Sequence, residues 1–393
     1  MERSAASHAL KFTMETVLIF RRALLPISET FIAAQAGALR SFRPQYAGLL
    51  PAVKSLPLAH DAILLAPTRS LRSLGGARLY DLTGIAPRFH RRARLTQPAL
   101  IHAHFALDGS TALPLAAALR VPLVVTLHGY DVTMGDKYLG KTPAGKLYLR
   151  RRQELWQRAS LFLCVSEFIR NQALEAGFPK EKLRVHFIGI DRQSFRPAGD
   201  RTGKLVLFIG RLVEKKGCIH LLHAMRRVQD LEPSARLVIV GDGPLRASLE
   251  KSAQELKLQV EFLGSQPGSV VRESIRRASL LCIPSITGPE GGSEGLGMVV
   301  LEAQAMGRPV VGFRSGGIPE AISEGVTGLL APAGDEAGLA QQILRYLQDE
   351  AFWQSSSTQG INWVAERFDL DRQTRELEAI YRECQSSFFQ QPA

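Results

Sequence analysis

The chain has little cysteine, no long apolar run and no glycine-rich turn after its first strand-like segment. Each absence excludes something. The four cysteines among 393 residues, Cys164, Cys218, Cys282 and Cys384, are widely dispersed. None belongs to a Cys-x-x-Cys pair, so neither a zinc cluster nor a disulfide framework is indicated, and a reducing cytosol fits best. Cys164 and Cys282 lie in apolar strand-like runs and read as buried free thiols. No stretch approaches the roughly 18–20 consecutive apolar residues that a transmembrane helix needs. Met1 to Thr16 is polar and mixed, without the apolar centre of about 7–15 residues that marks a signal peptide, and Met14 stands as an alternative start. The loop Arg21-Arg-Ala-Leu-Leu-Pro-Ile-Ser-Glu-Thr30 holds no glycine. No Gly-x-Gly-x-x-Gly therefore follows the first strand, which disfavours an NAD-dependent oxidoreductase.

What is present describes a globular protein. Hydrophobic residues make up 45% and charged residues 22% of the chain, and its length suits two domains better than one core. Charge is unevenly placed. Residues 1–195 carry 27 Lys plus Arg against 13 Asp plus Glu, whereas the remainder carries 22 against 24, so the whole net charge of +12 originates in the first half. Such asymmetry suits an anionic partner: nucleic acid, a membrane surface or a charged acceptor. The clusters are Arg88-Phe-His-Arg-Arg-Ala-Arg94 and Arg150-Arg151-Arg152, and a merely solvated basic face is the bland alternative. No aromatic-rich basic motif or recognition module is visible, so nucleic acid is not expected.

Short apolar runs alternate with helical ones through both halves. Thr16–Phe20, Ala62–Leu65, Leu100–Ala103, Leu123–Leu127 and Leu161–Val165 read as strands, with helical stretches at Leu113–Leu119, Leu147–Arg158 and Glu167–Glu175. Leu205–Ile209, Leu237–Val240, Val260–Leu263, Leu280–Ile283 and Pro309–Gly312 repeat the scheme. Apolar strands separated by helices predict parallel sheets covered on both faces, hence two consecutive Rossmann-like α/β domains. The polar, Pro- and Gly-punctuated stretch Ile190–Gly203 is the expected boundary, placing the domains at 1–195 and 196–360. Ile361–Cys384 has helical spacing, with Trp363, Phe368, Leu377 and Ile380 on its apolar side.

The segment Glu294-Gly-Leu-Gly-Met-Val-Val-Leu-Glu302 concentrates the chemistry. Met298 to Met306 is a run of helix formers stopped by Gly307 and Pro309, which puts Glu294 on the loop at a helix N-terminus and Glu302 in the first turns. Free N–H groups and the helix dipole there suit a diphosphate, and a carboxylate accepts two sugar or ribose hydroxyls at once. Taken alone, the pair is equally compatible with one exposed glutamate and one engaged with its own helix. Upstream stands Phe208-Ile-Gly-Arg-Leu-Val-Glu-Lys-Lys-Gly217; downstream stands Gly312-Phe-Arg-Ser-Gly-Gly-Ile-Pro-Glu320; His128-Gly-Tyr-Asp131 follows an apolar strand.

With these pieces in order over about 200 residues, the chain resembles the glycosyltransferases of family 4, retaining enzymes with the GT-B fold. Leu25-Pro-Ile-Ser-Glu-Thr-Phe-Ile32 brings it nearest to bacterial polysaccharide-assembly members of the exopolysaccharide and colanic-acid type. The resemblance implies a nucleotide-diphosphate sugar donor, no metal or other cofactor, and a glycan or lipid-linked acceptor. By matching position, Arg211 and Lys216 would bind the donor diphosphate, Glu294 the donor sugar near its reacting carbon, and Glu302 the ribose. Backbone of Gly295, Leu296 and Gly297 would meet sugar hydroxyls and phosphate. His128 would sit near the donor sugar, with Asp131 ordering the acceptor side, and the last helix would cross back to the first domain. The glycine-free first loop departs from many members, and Ser28, Glu29 and Thr30 are expected to cap the following helix or touch the acceptor. His104 is read as lining the cleft; His102 and His104 share a strand face, but no clustered third ligand supports a metal. Ribose recognition is base-neutral, so UDP, GDP, ADP and TDP sugars all fit. A phosphorylase or a sucrose-type synthase on the same fold is the enzymatic alternative; a non-catalytic nucleotide-sugar sensor would keep Arg211 and Lys216, but Glu294, Glu302 and His128 together argue against it. The expected location is cytoplasmic, with the basic half at the inner membrane face.

Overall fold

The computed structural model describes residues 14–26, 29–56, 62–199, 201 and 203–390. Two parallel sheets form the frame. The first contains β1 (Glu15–Phe20), β3 (Phe42–Gly48), β5 (Ile63–Leu64), β6 (Pro98–His104), β7 (Leu123–Leu127), β8 (Leu161–Cys164) and β9 (Leu183–Val185), in the order β5-β3-β1-β6-β7-β8-β9. A small side ladder joins β2 (Ala23–Leu24) to β4 (Leu50–Pro51). The second contains β10 (Leu205–Ile209), β11 (Arg236–Val240), β12 (Val260–Gly264), β13 (Leu280–Ile283), β14 (Val310–Phe313) and β15 (Gly328–Ala331), in the order β12-β11-β10-β13-β14-β15. Every pairing in both sheets is parallel. Helices cover both faces, so the central strands are buried throughout: every residue of β7, β8, β13 and β14 is buried. This is the GT-B arrangement of two Rossmann-like α/β domains.

Two differences from the sequence reading have clear causes. Strand β3 was not expected, because Arg43, Pro44 and Gln45 interrupt its apolar pattern. It tolerates Pro44 because β5 pairs only with Ala47 and Gly48, leaving one side of the proline without a ladder partner to serve. The final helical segment is two helices, Glu350–Arg367 and Leu370–Gln390. Asp369 breaks them apart by accepting the Arg372 N–H at 3.0 Å, as a cap does.

The last helix lies on the first domain. Leu377, Ile380, Tyr381 and Cys384 join the cluster that holds Val17, Ile19, Phe42 and Leu163. Its Glu378 carboxylate accepts backbone N–H groups of Arg40, Ser41 and Phe42 at 2.7, 2.6 and 3.3 Å. At the linker, Ile190 and Leu370 exchange backbone bonds through Phe368 and Ile190 carbonyls. Both the chain reversal and the hinge are therefore tied into packed structure.

Candidate active site

Strand C-termini place the motif residues. β10 delivers Gly210 and exposed Arg211, and a single 3-10 turn, Glu214–Lys216, follows. β13 leads into the loop that carries Glu294 and then into the helix Met298–Ala305. In the first domain, β6 ends at His104 and β7 is followed directly by His128. In open α/β sheets this edge faces the ligand crevice.

The two sets meet. A side chain added at Gly295 would come within 2.2 Å of the His128 carbonyl oxygen, so only glycine lets the second-domain loop approach this closely. Gly292 donates its N–H to the Thr133 carbonyl at 3.1 Å, and Met134 bridges to Gly291. Lys141 pairs with Glu290 at 2.8 Å across the same boundary. His128 and the Glu294–Gly297 loop thus form opposite walls of one crevice.

Lys216 Nζ lies 2.8 Å from Glu294 Oε1, both side chains being largely buried. Burial alone would raise the Glu294 carboxyl, but the charges of Lys216 and then Lys215 outweigh it and hold it below its usual range. Glu302, half-buried in the first turns of its helix, behaves in the opposite way. Burial pushes its carboxyl up to about 7 against the opposing charge of Arg272. Leu296 turns into the core, and Gly297, at φ +83°, starts the helix.

Behind His128 lies a row of histidines. His104 Nδ1 is 3.0 Å from His128 Nε2, and His102 lies tilted against His104 with ring centroids 4.3 Å apart. His104 was expected to line the cleft; it is only 1% exposed and backs His128 instead. Burial, and for His128 the nearby charge of Arg21, hold both imidazoles well below their ordinary pKa, so they are neutral at pH 7. Asp131 is also buried. It accepts N–H bonds from Ala106, Gly129 and His128 at 2.9, 3.1 and 3.3 Å, ordering the loop that presents His128.

The first loop departs from its expected role. Glu29 stands at the N-cap position of the helix Thr30–Gly37 yet makes no side-chain cap. Its carboxylate instead accepts both Nε (2.8 Å) and Nη2 (2.5 Å) of buried Arg21, which also reaches Asp108 and the His104 carbonyl (3.0 Å). Thr30 is exposed at the first helical position, and Ser28 lies outside the described residues. Sequence reasoning missed Arg21. Its signal was the Arg21-Arg22 pair directly after the apolar strand β1.

Comparison with known proteins agrees with the two-domain fold. The family model "Glycosyltransferase Family 4" matches residues 30–194 and "Glycosyl transferases group 1" matches residues 190–363. The chain belongs to glycosyltransferase family 4. It is similar to the putative colanic acid biosynthesis glycosyltransferase WcaL of Escherichia coli, 30% identical over 63% of this chain and 61% of that one. The Salmonella typhimurium protein of the same name is 28% identical over 84% and 80%. N-acetyl-alpha-D-glucosaminyl L-malate synthase of Bacillus anthracis is 30% identical over 77% and 79%. Among solved structures, Anabaena Alr3699/HepE in complex with UDP and glucose superposes with a TM-score of 0.74 at 20% identity, covering 94% of this chain and all of that one. Among the described residues, no group of three or more His, Cys, Asp or Glu is arranged to hold a metal.

Proposed function

We propose that this glycosyltransferase is a retaining enzyme of polysaccharide assembly, moving a sugar from a nucleotide-diphosphate donor to a hydroxyl of a glycan or lipid-linked acceptor. The observation that carries this reading is the Lys216–Glu294 ion pair, set against His128 across the crevice. An arriving diphosphate competes for Lys216 and frees the charged Glu294 to accept a donor-sugar hydroxyl beside the reacting carbon. Arg211 supplies a second cation, the helix terminus at Met298 adds partial positive charge, and Glu302 accepts ribose hydroxyls. Leaving-group stabilisation by these fixed charges is the main catalytic contribution. His128, held neutral, orients the sugar by hydrogen bonding and does not protonate the leaving group. The acceptor attacks on the face from which the diphosphate departs, through an oxocarbenium-like state to which Glu294 lends negative charge.

The relatives named for colanic acid biosynthesis support the polysaccharide setting, and the UDP-bound structural neighbour supports a nucleotide-sugar donor. The test is a thermal-shift panel of UDP-, GDP-, ADP- and TDP-sugars, with Glu294→Ala and Arg211→Ala alongside. A shift from one nucleotide class, weakened in both variants, is expected. No shift from any donor, with no sugar transfer, would overturn the reading; phosphate or fructose as the required co-substrate would replace it with a phosphorylase or sucrose-type synthase.

The location we propose is the cytoplasmic membrane face. Among the described residues no helix is long and apolar enough to cross a membrane. Exposed Leu71, Leu79, Leu82 and Leu95 lie instead on the helices Leu71–Thr83 and Pro87–Leu95, with exposed Ile85 in the connection between them, among Arg72, Arg78, Arg88, Arg91, Arg92 and Arg94. Apolar side chains in a basic collar suit anionic lipid headgroups. Co-sedimentation with anionic but not neutral vesicles at low salt is the expected result; equal, negligible binding to both removes the idea.

A further inference from the structure

The Gly-Gly-Ile-Pro-Glu turn has no role in the donor site described above, yet its carboxylate crosses to the other domain. The helix Glu167–Glu175 belongs to the first domain. Its first-turn N–H groups need partners, as at any helix start. Glu167 N–H donates to Glu320 Oε2 and Phe168 N–H to Glu320 Oε1, each at 2.7 Å. Ile169 N–H donates to its own N-cap, Ser166 Oγ, at 3.1 Å. That same hydroxyl donates to the Gly295 carbonyl at 2.6 Å. One helix terminus therefore grips the second domain at two points, one of them on the donor-sugar loop.

The turn bearing Glu320 is itself fastened to that loop. Gly317 N–H donates to the Glu294 carbonyl at 2.9 Å, and Glu320 N–H to the Gly317 carbonyl at 3.1 Å. A side chain at Gly317 would meet the Gly295 carbonyl at 2.0 Å, so the contact requires glycine. The backbone of Glu294–Gly295 is thus held from one side by its own domain and from the other by Ser166.

We infer that Ser166 and Glu320 are positioning residues: a clasp across the cleft that fixes the Glu294–Gly297 loop for the donor sugar only when the two domains are closed. This deepens the donor-site reading and rests on it for the word sugar, but the clasp itself does not. The carboxylate and the helix terminus attract through charge-assisted hydrogen bonds and the dipole. Opening the cleft removes both Glu320 oxygens from the amides and the Ser166 hydroxyl from Gly295 together. Closure and sugar-loop geometry are then one event. The nucleotide, gripped within the second domain by Arg211, Lys216 and Glu302, does not depend on it.

A groove of about 610 Å³ lined by Glu167, Phe168 and Glu320 brings water to the clasp, so amide exchange reports its loss. The test uses Glu320→Gln and Ser166→Ala in the full chain, with Glu324→Gln, which removes only a surface partner of Arg314, as control. Residue-resolved hydrogen exchange reads the amides of Glu167 and Phe168, and calorimetry reads Kd for UDP and UDP-glucose as probes. Expected for Glu320→Gln is exchange at both amides about tenfold faster, with Ala173–Glu175 of the same helix unchanged. Expected for both variants is UDP-glucose binding weakened about five- to tenfold with UDP within twofold, and no change in the control. Unchanged exchange at Glu167 and Phe168 overturns the clasp. Equal weakening of UDP and UDP-glucose overturns its sugar-positioning role. Should the wild type bind neither probe, the donor reading has failed for uridine nucleotides and the exchange result alone decides the clasp.

Discussion

Replacing Glu302 with glutamine should weaken donor binding and yet stabilise the free protein above pH 7. The Glu302 carboxyl stands at about 7 rather than the ordinary 4.5 because burial outweighs the charge of Arg272. A carboxyl raised in this way keeps a proton that the unfolded chain has already released. Its effect on stability therefore turns unfavourable as pH climbs from about 4.5 to about 7, and is constant above that. The gap corresponds to at most about 3 kcal/mol, which solvent at the half-buried side chain reduces to roughly 1–2 kcal/mol. Glutamine removes this penalty, so the variant should gain about that much at pH 8 and nothing at pH 4. Binding runs the other way. In the proposed donor site ribose hydroxyls donate to the charged carboxylate, of which about a tenth is present at pH 6 and about nine-tenths at pH 8. UDP-glucose is the suitable probe, since its diphosphate is esterified at both ends and does not titrate in this window. Its Kd should fall about tenfold from pH 6 to pH 8 in the wild type and stay flat in the variant, which binds about tenfold more weakly at pH 8. Calorimetry at three pH values and urea unfolding at pH 4 and pH 8 measure both effects. A wild-type Kd constant within twofold, or a variant less stable than wild type at pH 8, would refute the reasoning.

Further outcomes follow from the same site. Arg211→Ala should lower turnover about 100-fold or more, as loss of a preorganised charge contact does; near-wild-type transfer at saturating donor would remove Arg211 from the site. Asp131→Asn turns one of two accepting oxygens into a donor facing a backbone N–H, either that of Ala106 or those of His128 and Gly129. Urea unfolding should show a loss of about 1–3 kcal/mol, and an unchanged midpoint would contradict the assigned bonds. Arg21→Leu leaves Glu29 and Asp108 without their buried counter-charge. The expected cost is about 3–5 kcal/mol, read as a fall in Tm of about 10 °C, with Arg21→Lys recovering part of it.

Most of the frame was legible because its strands are uniformly apolar and short, and they alternate with helices. Leu123–Leu127, Leu205–Ile209 and Leu280–Ile283 carry that signal in their composition, and their bounds coincide with β7, β10 and β13. Strand β3 escaped because its evidence is positional: Pro44 is acceptable only where a neighbour strand stops short. The local structure of the Glu294–Glu302 segment was legible, since the two glutamates bracket one turn and one helix start. Contacts that join the domains were not. Glu320 and Phe168 are 152 residues apart, and no propensity or period links a turn in one sheet to a helix terminus beside another. Arg21 was hidden for a related reason. A cation after a strand reads as a surface charge until Asp108, 87 residues later, is folded against it.

The charge states on the two walls divide the chemical labour between the domains. On the first, His128 and His104 are kept neutral by burial, and Arg21 is locked between Glu29 and Asp108, so this wall offers hydrogen bonds and shape. On the second, Lys216 pairs with Glu294, whose carboxyl the neighbouring lysines hold below its usual range. In the proposed transfer the departing diphosphate gains negative charge and the sugar carbon gains positive charge, so both changes would be met from the second wall. The surplus positive charge of the first domain lies elsewhere, on helices such as Pro87–Leu95, away from the buried histidines. In the proposed function it acts on the surface that brings the acceptor to the crevice and takes no part in the transfer itself. Salt should therefore weaken acceptor-surface capture, where arginines are exposed to solvent, far more than it weakens the buried Lys216–Glu294 interaction.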